Sequence, residues 1–507
     1  DNKNNTALLK KRLQKIGNNV TSANDGIEAL NRVIKTKFDL ILLDIIMPNM
    51  NGYEVLEFLK KDKRYYEIPI IMLAIIVLVA GFFVNTNQNK KQVRIIPQAG
   101  PSNLYSSSEN YGNFVSFDAD IINQFSAFTG YEVSVATARS PMQSKNALLL
   151  GFADIAILPV EEEFISLPLV AAGPSFFDTH YQVTFNKNYR MTTSNSEFRR
   201  YRFGLSPSGW DFFKKIKSSY PEYQPRKFVI ADVNKLFAML DRNYVGYVIT
   251  DYHSAINLQR FYPKLGLERK VSELIKVRWV TTKEREDFLG KELSTFTNQL
   301  SRDGNLERLK EKYFGHLHRL KGQDIDAFLR RIDSTLPKYK SIFQEAGKFY
   351  KTDWRLIAAL GYQESHWNPK ARSPTGVKGL MMLTKPTASR LGVTNRYDAR
   401  QNIFAATKYL NTLNANLPET IQEPDRTWMA LAAYNVGAGH VTDARIIATR
   451  LGLNPNFWVS IRKTLPLLTQ KKYYSTVKRG YARGGEAVNL VQRVRNYHEI
   501  LLSRKYQ

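Results

Sequence analysis

Glu364 and Ser365 close an apolar run, Trp354-Arg355-Leu356-Ile357-Ala358-Ala359-Leu360-Gly361-Tyr362-Gln363, and are the residues best placed to do chemistry. Ile357, Leu360, Gly361 and Glu364 recur at i, i+3, i+4 and i+7, so a helix would carry them on one face. A single carboxylate then ends an apolar stripe. Loss of water there raises its pKa toward neutrality, which is what a general acid needs. A buried glutamate satisfied by a neighbour, or one at a frayed helix end, would leave the same pattern. What surrounds the glutamate decides between these readings.

The helix has Asp353 (or Thr352) as its N-cap and must close near Pro369. Gly376 and Gly379 bracket a turn before the apolar run Leu380-Met381-Met382-Leu383, and further on comes Ala432-Ala433-Tyr434-Asn435-Val436-Gly437-Ala438-Gly439. The order Glu-Ser, Gly-Leu-Met, Ala-Tyr-Asn-x-Gly resembles the lysozyme-like domain of lytic transglycosylases. The longer match, Tyr362-Gln363-Glu364-Ser365-His366-Trp367-Asn368-Pro369 with Arg372-Ser373-Pro374-Thr375-Gly376-Val377, resembles one branch of that group, membrane-bound lytic murein transglycosylase F.

The resemblance implies a peptidoglycan lytic transglycosylase. Glu364 would protonate the glycosidic oxygen between N-acetylmuramic acid and N-acetylglucosamine, then act as base on the muramyl 6-hydroxyl, closing a 1,6-anhydro ring. Ser365 would orient the acid, Tyr434 and Asn435 would line the cleft, and Gly379 to Leu383 would form a wall. Met382 stands where many relatives of the wider group carry glutamine. No cofactor and no metal is implied. In the last helix, Val488 to Leu502, the side chains of Arg493, Arg495 and Tyr497 are candidates to face a saccharide groove. Glycoside hydrolysis by the usual two-carboxylate route would need a second acid. A hydrolytic muramidase is therefore one alternative, with Asp398, Glu423 and Asp425 as candidates. A non-catalytic wall-fragment sensor is the other.

The composition fits that setting. With 507 residues the chain has room for about three domains. Lys and Arg number 73 against 46 Asp and Glu, a net charge of +27, which suits a polyanionic partner such as an anionic lipid surface or a carboxylate-rich cell wall. There is no zinc-ligand cluster, recognition-helix signature or RNA-binding aromatic motif, so nucleic acid is not expected as a partner. Having no cysteine excludes disulfides, thiolate metal sites and acylation at cysteine.

Upstream, residues 1–73 resemble a truncated response-regulator receiver domain, a partial α/β unit. Phe38 to Asp44 is a buried strand ending in an aspartate, and Ile45 to Gly52 matches the loop that follows the phosphoacceptor in that family. By resemblance Asp44 would be phosphorylated. Asp1 would be the second acid of the magnesium pair. Ala74 stands in place of the required Thr or Ser, and no later receiver strand brings the lysine, so Asp44 is expected to be inactive. Residues 70–84 form an apolar run that is short for a spanning helix and suits a signal-peptide core or an uncleaved anchor, with Lys60, Lys61, Lys63 and Arg64 before it.

Residues 93–320 alternate short strands with amphipathic helices, an α/β pattern. Gly112 to Ile121 resembles the signature of family 3 extracellular solute-binding proteins, although Ser116 replaces the usual glycine. Two lobes are implied, with Asp118 and Asp251 as ligand candidates. The arginine that clamps an amino-acid carboxylate is missing from Val160 to Phe164, which points instead to muropeptides or stem peptides. Residues 325–507 read as helical and form the lysozyme-like catalytic domain. The expected whole is multidomain: receiver remnant, apolar segment, two-lobed binding domain and all-α-dominated enzyme. Its expected location is the periplasmic side of the envelope, in association with a membrane.

Overall fold

The computed structural model describes the chain apart from residues 1–9, 45–51, 74–91, 98–115, 188–201, 214–225, 504–507 and gaps of one to four residues elsewhere. The receiver-like unit comprises α1 (Gly26–Lys35), β1 (Ile41–Asp44), α2 (Gly52–Lys61) and β2 (Ile70–Leu73). The Asp25 side chain caps α1 by accepting from Glu28 N at 2.7 Å. β1 and β2 pair in parallel from Ile41↔Ile70 to Asp44↔Leu73, over a small core of Leu30, Val33, Leu43, Val55 and Leu59. Asp44 is the last residue of β1, as its position after an apolar run implies. Asp1 and the loop from Ile45 lie outside the described residues. The apolar run at 70–84 is divided: Ile70–Leu73 is a sheet strand, and the rest lies outside the described residues. Among the described residues no helix is long and apolar enough to cross a membrane.

Two five-stranded sheets follow. The first is built from β3 (Gln92–Pro97), β4 (Glu132–Val135), β5 (Ile155–Val160), β6 (Val170–Thr179) and, much later, β12 (Ile275–Thr282), in the order β4-β3-β5-β12-β6. The second takes β7 (Tyr181–Asn186), β8 (Arg202–Leu205), β9 (Arg226–Val229), β10 (Tyr247–Asp251) and β11 (Leu265–Lys270), in the order β11-β7-β10-β8-β9. The chain leaves the first sheet at His180 and returns between β11 and β12. These two crossings make the expected two-lobed architecture. The first lobe is closed by α3 (Phe117–Thr129), α6 (Lys291–Arg302) and α7 (Asn305–Phe314), whose apolar faces pack on Trp279 and Ile157. Ser116 caps α3, its hydroxyl accepting from Ala119 N at 3.1 Å, which gives the departure from glycine a local role. The second lobe carries α4 (Val233–Asp241) and α5 (Tyr252–Gln259) over Val248 and Leu265.

The remainder is helical: α8 (Gly322–Ser334), α9 (Lys340–Tyr350), α10 (Trp354–Ser365), α11 (Lys385–Arg390), α12 (Ala399–Ala415), α13 (Asp425–Val436), α14 (Ala438–Arg450), α15 (Trp458–Thr464) and α16 (Gly484–Ser503). They enclose one core that includes Ile357, Leu360, Met381, Ile403, Leu431 and Val491. α16 packs against both α10 and α13.

α16 also meets the binding lobes. Glu311 of α7, only 3% exposed, accepts from Arg495 Nη1 at 2.8 Å and Gln492 Nε2 at 3.0 Å, and pairs with Arg462 at 3.0 Å. Arg495 Nη2 also donates to the carbonyls of Glu311 and Lys312, and its guanidinium lies 3.8 Å from the Trp428 ring centroid. From the second lobe, Arg260 pairs with Glu499, which is also 2.8 Å from the buried His316 Nε2. The expectation that Arg495 and Tyr497 line a saccharide groove is therefore corrected. Arg495 is spent on the junction between lobes and enzyme, and Tyr497 is buried among Phe328 and Tyr362.

Candidate active site

The helix that carries Glu364 begins as its sequence implies. Asp353 is the N-cap and accepts from Arg355 N at 3.0 Å, while His498 of α16 reaches its other oxygen at 2.9 Å. Arg355 and His498 hold the Asp353 carboxyl well below the usual carboxylate range, against the cost of burial. At the other end, His366 and Trp367 take left-handed backbone (φ 55° and 59°), and His366 N donates to Tyr362 O at 2.8 Å. Trp367 is buried, and its Nε1 donates to Ala358 O at 2.8 Å, locking the exit from the helix.

Glu364 thus sits one residue before the end of α10. Ile357, Leu360 and Gly361 on its face are buried, while its own side chain is half-buried. Among the described residues no side chain or backbone donor reaches its carboxyl. Burial alone pushes its pKa up to about 8. The negative end of the helix dipole favours the protonated form as well.

Ser365 does something other than orient that carboxyl. Its hydroxyl donates to Leu380 O at 2.6 Å, with Gly361 O at 3.3 Å, and accepts from Asn368 N at 3.0 Å. It joins the helix end to the turn that follows Gly379. In that run Leu380, Met381 and Leu383 are buried, and Met382, at φ 51°, is the half-exposed member. Gly379 is required here. At φ +87° a Cβ would lie 2.0 Å from Arg396 O.

Tyr434, on α13, donates from its hydroxyl to Met381 O at 2.7 Å. Burial, then the neighbouring Glu364 and Tyr409, push its pKa up, so it stays neutral and keeps this bond. Asn435 follows as an exposed residue. Glu364 and Tyr434 are therefore neighbours, and Ser365 and Tyr434 both bond to the turn that carries Met382, with Asn435 next in the chain after Tyr434. One residue that sequence reading missed is Asn402 of α12. It is fully buried, accepts from Met381 N at 2.6 Å and donates to Arg396 O at 3.0 Å, which fixes the turn from behind. The available signal was an amide inside the apolar face Ile403, Ala406, Leu410.

The candidate second acids are all engaged. Asp398 caps α12 through Gln401 N at 2.7 Å, and Glu423 accepts from Thr427 N at 3.2 Å. Asp425 is buried, 2.6 Å from Arg308 Nε of α7 and 2.6 Å from Trp458 N. In the lobes, Asp118 is buried in the first turn of α3. Asp251 pairs in register with Tyr181, one residue past the crossing at His180. Its carboxylate caps α5 through Ser254 N at 3.0 Å and Ser254 Oγ at 2.6 Å, and burial pushes its pKa up.

Comparison with known proteins agrees with this reading. The Transglycosylase SLT domain family matches residues 341–451, and the Response regulator receiver domain family matches residues 1–76. A membrane-bound lytic murein transglycosylase F of Methylobacillus flagellatus is 36% identical over 82% of this chain and 89% of its own length. The protein of that name from Stutzerimonas stutzeri is 35% identical over 81% of this chain and 84% of its own length. That from Shewanella frigidimarina is 44% identical over 57% of this chain and 60% of its own length. Among solved structures, a mutant arginine-binding protein of T. maritima covers 44% of this chain and 95% of its own at 19% identity and a TM-score of 0.38, a likeness too slight to add to the topology above. Identity of 35–36% carried across most of both chains, with the SLT domain match, settles the assignment: the chain belongs to the membrane-bound lytic murein transglycosylase F family and is a peptidoglycan lytic transglycosylase.

Proposed function

We propose that Glu364 alone supplies both the acid and the base of this reaction. The observation that carries the reading is its carboxyl, half-buried, without a partner among the described residues and raised to about 8, so that it holds a proton at neutral pH. It protonates the glycosidic oxygen between N-acetylmuramic acid and N-acetylglucosamine. As a carboxylate it then takes the proton of the muramyl 6-hydroxyl, whose oxygen closes the 1,6-anhydro ring and so excludes water from the product. Tyr434 and Asn435 line the cleft beside it, Met382 offers an apolar surface, and Ser365 positions the turn below the sugar. The engagement of Asp398, Glu423 and Asp425 elsewhere supports one acid over two. Digesting purified peptidoglycan with the full chain and weighing the products tests this. Anhydro ends are expected, reducing muramic ends would mean a hydrolase, and no cleavage would mean a sensor.

The proposed division is a receiver-like segment at 1–73, an apolar signal or anchor segment reduced from 70–84 to the part that follows β2, binding lobes at 93–320 and the enzyme at 325–507. The apolar segment would hold the chain at a membrane on the periplasmic side of the envelope. The lobes would bind a wall peptide. Asp251 beside the crossing suits an amine or amide, the carboxylate clamp for a free amino acid is missing, and the large positive charge attracts acidic fragments at long range. Because α16 packs on the lobes and on α10 alike, differential binding to open and closed lobes can alter the enzyme. A stem peptide should bind more tightly than any free amino acid in calorimetry and should change the cleavage rate. Failure to bind at millimolar concentration, or binding without a change in rate, would make the lobes a spacer.

Asp44 is proposed to be inert. Ala74 stands where phosphoryl transfer needs a hydroxyl, and among the described residues no further strand joins β1 and β2 to bring a lysine to the phosphoryl oxygens. Incubation with magnesium and acetyl phosphate should leave the mass unchanged. A stable adduct mapped to Asp44 would overturn this.

A further inference from the structure

The half-buried surface beside Glu364 continues beyond Tyr434. The Tyr409 ring of α12 lies 5.5 Å from the Tyr434 ring, centroid to centroid, tilted by 51°. Arg390, at the end of α11, places its guanidinium carbon 5.5 Å from the Tyr409 centroid. Glu364, Tyr434, Tyr409 and Arg390 thus form a lane across four helices that runs from the acid to a cation.

The cation is unlike its neighbours. Arg400 pairs with Glu345 at 2.7 Å, Arg396 is tied to the carbonyls of Gly376 and Leu383, and Arg426 to those of Leu417 and Pro418. Arg390 is exposed and has no hydrogen bond or ion pair among the described residues, so its contact with the Tyr409 ring is what holds it in place. A structural arginine would be spent on carbonyls or a carboxylate, as these three are. This one keeps its planar fork free for an incoming anion.

We propose that Tyr409 and Arg390 form a substrate subsite next to the cleavage point, Tyr409 offering a face to a sugar ring and Arg390 a cation to a carboxylate of the peptide carried by that glycan. The site therefore selects peptide-bearing strands over bare ones. This rests on Glu364 marking the cleavage point, and it deepens that assignment by naming what flanks it.

The test compares kcat/KM for release of anhydro-ended products from peptide-bearing glycan strands with that from the same strands stripped of peptide by an amidase. The full chain is used throughout. Arg390→Ala should lower the ratio of the two values about fivefold, the scale of one exposed charge pair. Arg390→Lys, which keeps the charge but loses the fork, should fall between. Raising the salt concentration should narrow the wild-type ratio and leave that of Arg390→Ala nearly flat. A ratio that Arg390→Ala leaves unchanged, whether overall activity falls or not, would overturn the subsite. Failure of the Glu364 assignment would show itself separately, as cleavage that survives removal of the acid.

Discussion

Glu364→Gln should lower the rate of peptidoglycan cleavage by about 10²–10⁴-fold, while the protein folds and still sediments with the wall. The amide is nearly isosteric with the carboxylic acid but has no proton to give to a leaving oxygen, and among the described residues no other acid stands ready to replace it. The pH dependence should follow from the same group. With a pKa of about 8 the acid form persists through neutral pH, and activity should fall on the alkaline side as that proton is lost. Stability moves in the same direction. Between its ordinary 4.5 and about 8, the folded chain keeps a proton on Glu364 that the unfolded chain has released. This group's favourable contribution is therefore complete below 4.5 and is lost as pH rises through about 8. Glu364→Gln removes the dependence, so its melting temperature should gain on the wild type from about pH 5 to about pH 9. A variant with appreciable activity, or a melting difference that stays flat with pH, would contradict the assignment.

Arg495→Met should destabilise the chain by about 3 kcal/mol, because it leaves the buried Glu311 short of its best partner. Arg462 at 3.0 Å and Gln492 at 3.0 Å remain, which keeps the loss toward the lower end for a broken buried pair. The two backbone carbonyls of α7 that Arg495 satisfies are also left short, as is the Trp428 ring beneath it. Since this network joins the binding lobes to the enzyme, the damage should appear as two separated unfolding transitions where the wild type shows closer coupling. Adding Glu311→Gln in the Arg495→Met background should recover part of the loss by removing the stranded charge. Denaturant unfolding followed by tryptophan fluorescence measures both, and a change within about 0.5 kcal/mol would place the network at a solvated surface after all.

The catalytic helix was legible because its information is local. The Asp353 cap, the stripe Ile357, Leu360, Gly361 and the acid at its end all follow from spacing along one helix, and burial of that stripe is what raises Glu364. The Gly379 turn was legible for a similar reason, since left-handed backbone against a carbonyl admits only glycine. The alternation of strands and helices likewise announced an α/β unit, and the resemblance implied its two lobes, although the return of β12 to the first sheet, after a whole second sheet, is a long-range pairing that no window reveals.

What the sequence alone could not decide were the partners of its polar groups. Ser365 adjoins the acid in sequence, yet its hydroxyl goes to Leu380 O fifteen positions on. Asn402 carries no motif but holds the turn from behind. Arg495 and Tyr497 sit on a helix whose polar face suggested a groove, yet α7 of the binding lobes takes up Arg495 and the enzyme's own core, at Phe328 and Tyr362, takes up Tyr497. Periodicity reports which side of a helix is apolar, because burial of apolar surface repeats with the helical turn. A charged side chain can be solvated by water or by a buried counter-charge, and only the packing of another domain against it determines which.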